Sequence, residues 1–309
     1  MPRSRWAAPW LQQAAAAGCL ACGLSTAQAD TLRYCDAGNK LSAAQQDRLL
    51  RVSGLIKHEL ERSGAQVALI ARSGLNLRWF DMRYSHAGLS LKASPGGPWA
   101  VRQLYFSCDE KQSRLFDQGL SAFLLGTEDP ALGFISVVTL PAQASPEIEA
   151  TALNNRQAIE LLGGNYSANA YAFSTLYQNC NQWLMELLAT AWLAPGRDSG
   201  QSPRQAAQAW LKTAGFEPAV FSLGWRPFTW ATAFSPWLNR DDHPPENLAQ
   251  AQFQVSMPAS IETLLRQRVA GAERIEFCHT ERHVLIRRGW QALAEGCVAS
   301  DSDTVIALD

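Results

Sequence analysis

From Tyr171 to Trp183 the chain reads Tyr-Ala-Phe-Ser-Thr-Leu-Tyr-Gln-Asn-Cys-Asn-Gln-Trp, and residues 184–193 that follow are almost all apolar. Few folds are open to such a segment. The apolar run predicts an amphipathic helix laid against a core, and the polar run must supply the loop and the cap that start it. Cys180 falls at that junction, between Asn179 and Asn181. The first turn of a helix presents unpaired N–H groups and the positive end of the helix dipole, and both favour thiolate over thiol. Gln178 and Asn179 are close enough to line an oxyanion site with the Cys180 backbone N–H. Asn179 is equally suited to be the N-cap. A buried structural cysteine or half of a disulfide is the other fate open to Cys180.

The N-terminus bears on that choice. Arg3 and Arg5, the apolar stretch 14–24 and Ala27-Gln28-Ala29 have the order of an export signal, which predicts a mature chain beginning at Asp30 in a periplasm or beyond. A lipoprotein, with Cys19 or Cys22 modified, is the less favoured variant, since neither has a Leu-rich box before it. Of the seven cysteines, those two fall inside the signal, leaving Cys35, Cys108, Cys180, Cys278 and Cys297. An oxidising compartment favours pairing, and an odd set leaves one thiol over. The preferred arrangement pairs Cys35 with Cys108 and Cys278 with Cys297, which leaves Cys180 free.

The 27 basic and 28 acidic residues nearly cancel and form no basic cluster, which gives no support for a nucleic-acid partner. No apolar run reaches the roughly 18–20 residues that span a bilayer. At 309 residues the chain can bury one large core or two modest ones.

Periodicity predicts a helix over 41–63, a strand over 67–71, strands over 77–82, 84–92 and 99–107 as an antiparallel meander, and a helix within 113–125. A strand over 135–140 and a helix over 145–162, with Pro146 at its first position, come next. Past the Cys180 helix stand a Pro/Gly/Ser linker (194–202), a helix over 203–214 capped by Ser202, and an aromatic stretch holding Trp225, Trp230 and Trp237. A helix over 260–270 and strand-like residues over 274–288 complete the chain.

A cysteine nucleophile needs a base, most often histidine. His58 lies on the polar side of the first helix, and His243 sits in an exposed-looking Asp-Asp-His-Pro-Pro loop. His279 and His283 have the spacing of a zinc-protease helix, but the glutamate comes two positions after the first histidine and the segment reads as strand, so no metal is expected there. His86 differs: it opens a strand beside Ala87 and Gly88, and small neighbours leave it unobstructed.

A histidine opening an early strand, followed later by Asn179-Cys180-Asn181-Gln182-Trp183 at a helix start, resembles the circularly permuted branch of the NlpC-like papain-fold cysteine hydrolases. That branch includes YiiX-like proteins, lecithin:retinol acyltransferase-like proteins and PPPDE peptidases. From the export signal through Asp117-Gln118-Gly119-Leu120-Ser121-Ala122-Phe123 to the cysteine segment, the chain most resembles the bacterial family called domain of unknown function 2145. The resemblance implies an α+β, papain-like antiparallel sheet packed against helices, with the cysteine at a helix N-terminus. It implies a signal peptide over 1–29, a catalytic core over 30–195 and a helical, aromatic-rich extension over 196–309 packed on that core. Cys180 becomes the nucleophile and His86 the general base. The third position falls on the strand after the histidine strand, at Gln103, or at Arg102 if the register slips by one. Tyr171 stands where related sequences carry a tyrosine, lining the cleft or simply packed. The implied activity is an exported amidase or peptidase working through a thioester, with peptidoglycan peptides a plausible substrate, and with no cofactor or metal. A thiol acyltransferase or ester hydrolase, and a non-catalytic binding or assembly module, are the alternatives.

Overall fold

A computed structural model describes residues 41–107, 110–127, 129–193, 200–224, 235 and 237–308. The expected export signal, Cys35, Cys108, Trp225 and Trp230 lie outside the described residues.

Ser42 opens α1 (Ala43–Arg62) with a reciprocal capping box. Its hydroxyl accepts from the Gln45 N–H while the Gln45 side chain accepts from the Ser42 N–H. Leu49, Val52, Ile56 and Leu60 form the buried face of α1, and Gly64 at φ +71 turns the chain away from it. β1 (Val67–Arg72), β2 (His86–Leu91), β3 (Ala100–Ser107) and β4 (Gln112–Gln118) follow, each antiparallel to its predecessor, so the meander is present. Residues 77–82, expected as strand, instead make a turn around a 3-10 segment (Arg78–Phe80), closed by Asp81 at φ 55. There Asn76 accepts from the Arg78 N–H, the kind of local bond that draws a short apolar run out of a ladder.

The helix expected within 113–125 is α2 (Leu120–Leu124), and β4 takes the residues before it. β5 (Gly133–Thr139) leads to α3 (Pro146–Leu153) and α4 (Asn155–Glu160), two helices where periodicity predicts a single one over 145–162. Asn154 makes the break by leaving helical dihedrals and capping the second half through the Gln157 N–H. α5 (Cys180–Trp192) and α6 (Pro203–Thr213) are capped by Asn179 and Ser202. β6 (Ala219–Ser222), α7 (Pro245–Ala249) and β7 (Gln252–Val255) follow, with β6 and β7 pairing as a small separate sheet. α8 (Pro258–Arg268), β8 (Glu273–His279), β9 (His283–Arg288) and β10 (Thr304–Ala307) end the described chain.

The eight-stranded sheet runs β10-β9-β8-β5-β1-β2-β3-β4. Each strand is antiparallel to its neighbours in that order. β8 pairs with β5, so strands from both sides of the expected boundary at 195/196 share this sheet. Alternation sends Val67, Leu69, Leu89 and Leu91 to one face, where α3, α4, α5, α6 and α8 pack. Ala68, Ile70, Val101 and Ile135 face the other side, against α1 and α2. With both faces covered, β1 carries apolar residues at nearly every position instead of every second one. α5 is the central helix of its layer: Trp183, Leu184, Met185, Leu187 and Leu188 are all fully buried. Each such side chain contributes about 1.5–3 kcal/mol. Cys278 and Cys297 form the disulfide expected of them, with Cα atoms 5.7 Å apart.

Candidate active site

The N-terminus of α5 meets the end of the sheet where β2 begins. There His86 Nδ1 lies 3.1 Å from Cys180 Sγ. The other ring nitrogen, Nε2, is bonded to Gln103 Oε1 on β3, and Gln103 Nε2 donates to Gln118 Oε1 on β4. These bonds decide a tautomer. An amide whose nitrogen is engaged by Gln118 turns its oxygen to the imidazole, so Nε2 carries the ring proton and Nδ1 faces the thiol as an acceptor. Arg102, the alternative third residue, points to the opposite face, where Nε and Nη2 hold Asp117 and Nη1 reaches the Ala152 carbonyl.

The alignment of α5 with β2 is fixed by Asn181, which is buried. Its Oδ1 accepts from the Ala87 N–H at 3.1 Å and its Nδ2 donates to the Ser85 carbonyl at 3.1 Å. One amide thus grips the backbone on both sides of His86. The approach to β2 is anchored from the far side of the same layer. Glu276 accepts from Arg83 at 2.7 Å and from the Tyr84 hydroxyl with one oxygen, and from Arg274 and the Leu293 N–H with the other. Burial works to raise the Glu276 carboxyl, but the Arg274 charge and these donors outweigh it and hold it below the ordinary range. Upstream of Cys180, a buried Arg204–Glu186 pair fastens the loop. Arg204 also donates to the Thr175 carbonyl at 2.8 Å and the Tyr177 carbonyl at 2.9 Å.

Charge at the site is set by burial and by Arg72, the cross-strand partner of His86. The Phe123 ring lies beside both, 5.2 Å from the guanidinium and 5.8 Å from the imidazole, and Arg72 also donates to the Gly126 carbonyl. Burial pushes the Cys180 thiol up to about 12, opposed by the Asn181 N–H, the Arg72 charge and the residue's own N–H. Burial and then Arg72 pull the His86 imidazole down to about 3, against the bond to Gln103. The couple therefore rests neutral, as thiol and imidazole. Cys180 is only 8% exposed, so the sulfur is shielded as well as uncharged.

Gln178 and Asn179 commit their side-chain amides to other partners, and Tyr171 is packed among aromatic rings. The Gln178 amide is spent on the Leu161 carbonyl, Glu186 and the Gly163 N–H, inside the Arg204 network. The Asn179 side chain caps α5, accepting from the Gln182 N–H at 2.7 Å and donating to Ala168. Tyr171 packs against Phe173 and His243, and its backbone N–H bonds Asp242. His243, exposed-looking in sequence, is buried: its Nε2 lies 2.8 Å from the Asn169 carbonyl and Phe253 abuts its ring. The two prolines after it open α7. His58 is exposed, and His279 lies buried on β8. Among the described residues no three His, Cys, Asp or Glu side chains are grouped to hold a metal ion. No helix among them is long and apolar enough to cross a membrane.

Arg72, Gln118 and Asn181 belong to the site without having been expected from sequence. Asn181 has a local signal, a second asparagine placed inside a helix where the first already serves as cap. Gln118 and Arg72 have none, because only strand register brings them to His86.

The profile of an uncharacterized protein family conserved in bacteria, DUF2145, matches residues 59–265. No curated protein and no solved structure matches the chain.

Proposed function

The chain belongs to the bacterial family DUF2145, and from that premise we propose that it is an exported thiol hydrolase of the permuted papain-like kind, cleaving amide bonds such as those of peptidoglycan peptides. The observation that carries the reading is the 3.1 Å contact between His86 Nδ1 and Cys180 Sγ at a capped helix start, with the imidazole turned by Gln103. The order His-then-Cys along the chain, with the histidine on an antiparallel sheet, supports the permuted arrangement.

As the substrate carbonyl approaches, His86 Nδ1 takes the thiol proton and Sγ bonds to the carbonyl carbon, whose π electrons move onto oxygen. The backbone N–H groups of Asn181 and Cys180, which oppose the rise of the thiol pKa, would serve as donors to that oxyanion, and Arg72 adds positive potential. Collapse breaks the C–N bond. His86 returns its proton to the departing amine, leaving a thioester. Water, deprotonated by the same nitrogen, attacks the thioester and releases the acid, and the proton goes back to sulfur. Because the thiol rests neutral, proton removal is coupled to attack instead of preceding it.

An acyl transfer on the same scaffold is favoured by one feature, the shielding of Cys180, since a covered thioester meets a bound acceptor more readily than bulk water. The test is covalent capture. Incubated with a peptidyl acyl electrophile, the protein gains an adduct that mass spectrometry places on Cys180, absent from Cys180→Ala and slowed by about 100-fold or more in His86→Ala. Capture at an unchanged rate in His86→Ala would overturn the reading.

A further inference from the structure

We infer that Gln118 is a positioning residue, the one whose acceptor oxygen sets the direction of the whole relay Gln118–Gln103–His86–Cys180. The inference rests on the thiol-hydrolase reading, and extends it to a residue three hydrogen bonds removed from the sulfur. Two primary amides in series can be wired in two senses. With Gln118 presenting its oxygen, Gln103 donates to it and presents its own oxygen to His86 Nε2, which must then carry the ring proton. His86 Nδ1 is left bare and can accept the thiol proton across 3.1 Å. With Gln118 presenting its nitrogen, both bonds reverse. Gln103 turns its NH2 to Nε2, the ring proton moves to Nδ1, and the nitrogen facing Cys180 is already protonated and useless as a base.

The backbone supports this division of labour. Gln103 is buried and pairs with Phe116 across the β3–β4 ladder, with Gln118 the next residue outward on the same face. Gln118 is half-buried, at the last position of β4, where the ladder ends opposite Val101. Gly88, two residues after His86 and on its face, leaves the space that the Gln103 side chain crosses. A Cβ at Gly88 would come within 3.2 Å of the Gln103 Cβ. Gln118 is the side chain that engages the Gln103 nitrogen, so the sense of the Gln103 amide is passed on from it.

The experiment compares an acceptor-only with a donor-only side chain at the same place. Gln118→Glu can only accept from Gln103 and keeps the working sense. Gln118→Lys can only donate and imposes the reversed one. Capture of the peptidyl electrophile by Cys180 is expected to fall by about 100-fold in Gln118→Lys, the lower end of what a general base contributes, and by less than about tenfold in Gln118→Glu. Histidine 15N shifts, with the His86 signal identified by its loss in His86→Ala, are expected to report Nε2–H in the wild type and Gln118→Glu and Nδ1–H in Gln118→Lys. A carboxylate at 118 also raises the His86 pKa, so its capture rate declines from a higher pH than that of the wild type. Equal rates in Gln118→Lys and Gln118→Glu, or an unchanged tautomer in Gln118→Lys, would overturn the inference while leaving the hydrolase reading standing. Failure of the His86→Ala control would instead strike the reading itself.

Discussion

A cysteine that titrates near 12 beside a histidine that titrates near 3 holds its proton on sulfur across the whole neutral range. The site is thus poised by geometry, with its charge yet to develop. Geometry at this scale depends on what is missing from Gly88 as much as on what is present at Gln103. A methyl at 88 would meet Val101 Cγ1 at 2.6 Å and the Arg102 carbonyl oxygen at 2.9 Å, backbone that cannot swing aside. Gly88→Ala is therefore expected to cost about 1–3 kcal/mol by overpacking. It should also slow electrophile capture by shifting Gln103 away from His86. Gly54 is the control. It lies on the exposed side of α1, and a Cβ added there would have nothing within 4 Å, so Gly54→Ala should stabilise by about 0.4–1 kcal/mol and leave capture alone. Urea unfolding of both variants checks the opposite signs. Destabilisation by Gly54→Ala or tolerance of Gly88→Ala would show the packing argument to be wrong.

At the scale of elements, α5 and β2 are two rigid bodies whose relative height decides whether sulfur and imidazole meet. Asn181 sets that height by bonding the Ser85 carbonyl and the Ala87 N–H with one side chain. Asn181→Leu leaves the buried Ala87 N–H without a partner, at about 1–3 kcal/mol, and strips the partly buried Ser85 carbonyl of its donor at a smaller cost. Asn181→Asp keeps the acceptor for Ala87 and loses the donor to Ser85, so its loss of stability should be the smaller. Capture rates in the two variants should rank in the same order. Equal stability of the wild type and Asn181→Leu, read by thermal melting, would assign the alignment of α5 and β2 to apolar packing alone. The junction itself is legible in sequence: an asparagine cap, then cysteine, then an apolar run, is a local pattern, and His86 at an uncrowded strand start is another. Gln103 against Arg102 can be posed from sequence but needs register to decide. Gln118 and Arg72 are illegible, since no local pattern says that residues on β1 and β4 converge on one imidazole. The split at Asn154 escapes a reading by periodicity because a favourable N-cap inside a periodic run does not disturb the period.

Across the molecule, pH reaches the fold through groups that burial has displaced, and they do not all pull one way. His279, buried on β8 behind Gly133, is drawn down to about 4 by burial, a pull that the Asp129 charge only partly opposes. An unfolded histidine takes its proton near 6.5. Between about 6.5 and about 4 the unfolded chain therefore binds more protons, and stability falls as the pH falls through that window. The shift corresponds to about 3 kcal/mol, fully retained above the unfolded value. His86 acts in the same direction and further into acid. Asp242 opposes them. Burial raises its carboxyl to about 6, so the folded chain keeps a proton that the unfolded chain has released, and this contribution grows as the pH falls toward 3.8. Two substitutions separate the contributions. His279→Gln should flatten the decline in melting temperature between neutral pH and about pH 4.5, and Asp242→Asn should steepen it by removing the opposing proton. If both variants keep the wild-type slope, acid sensitivity arises instead from Glu276, which Arg274 and its other donors hold ionised. Protonating Glu276 would release Arg83 and Tyr84 from the approach to β2, so acid of that origin should abolish capture at Cys180 before the fold melts.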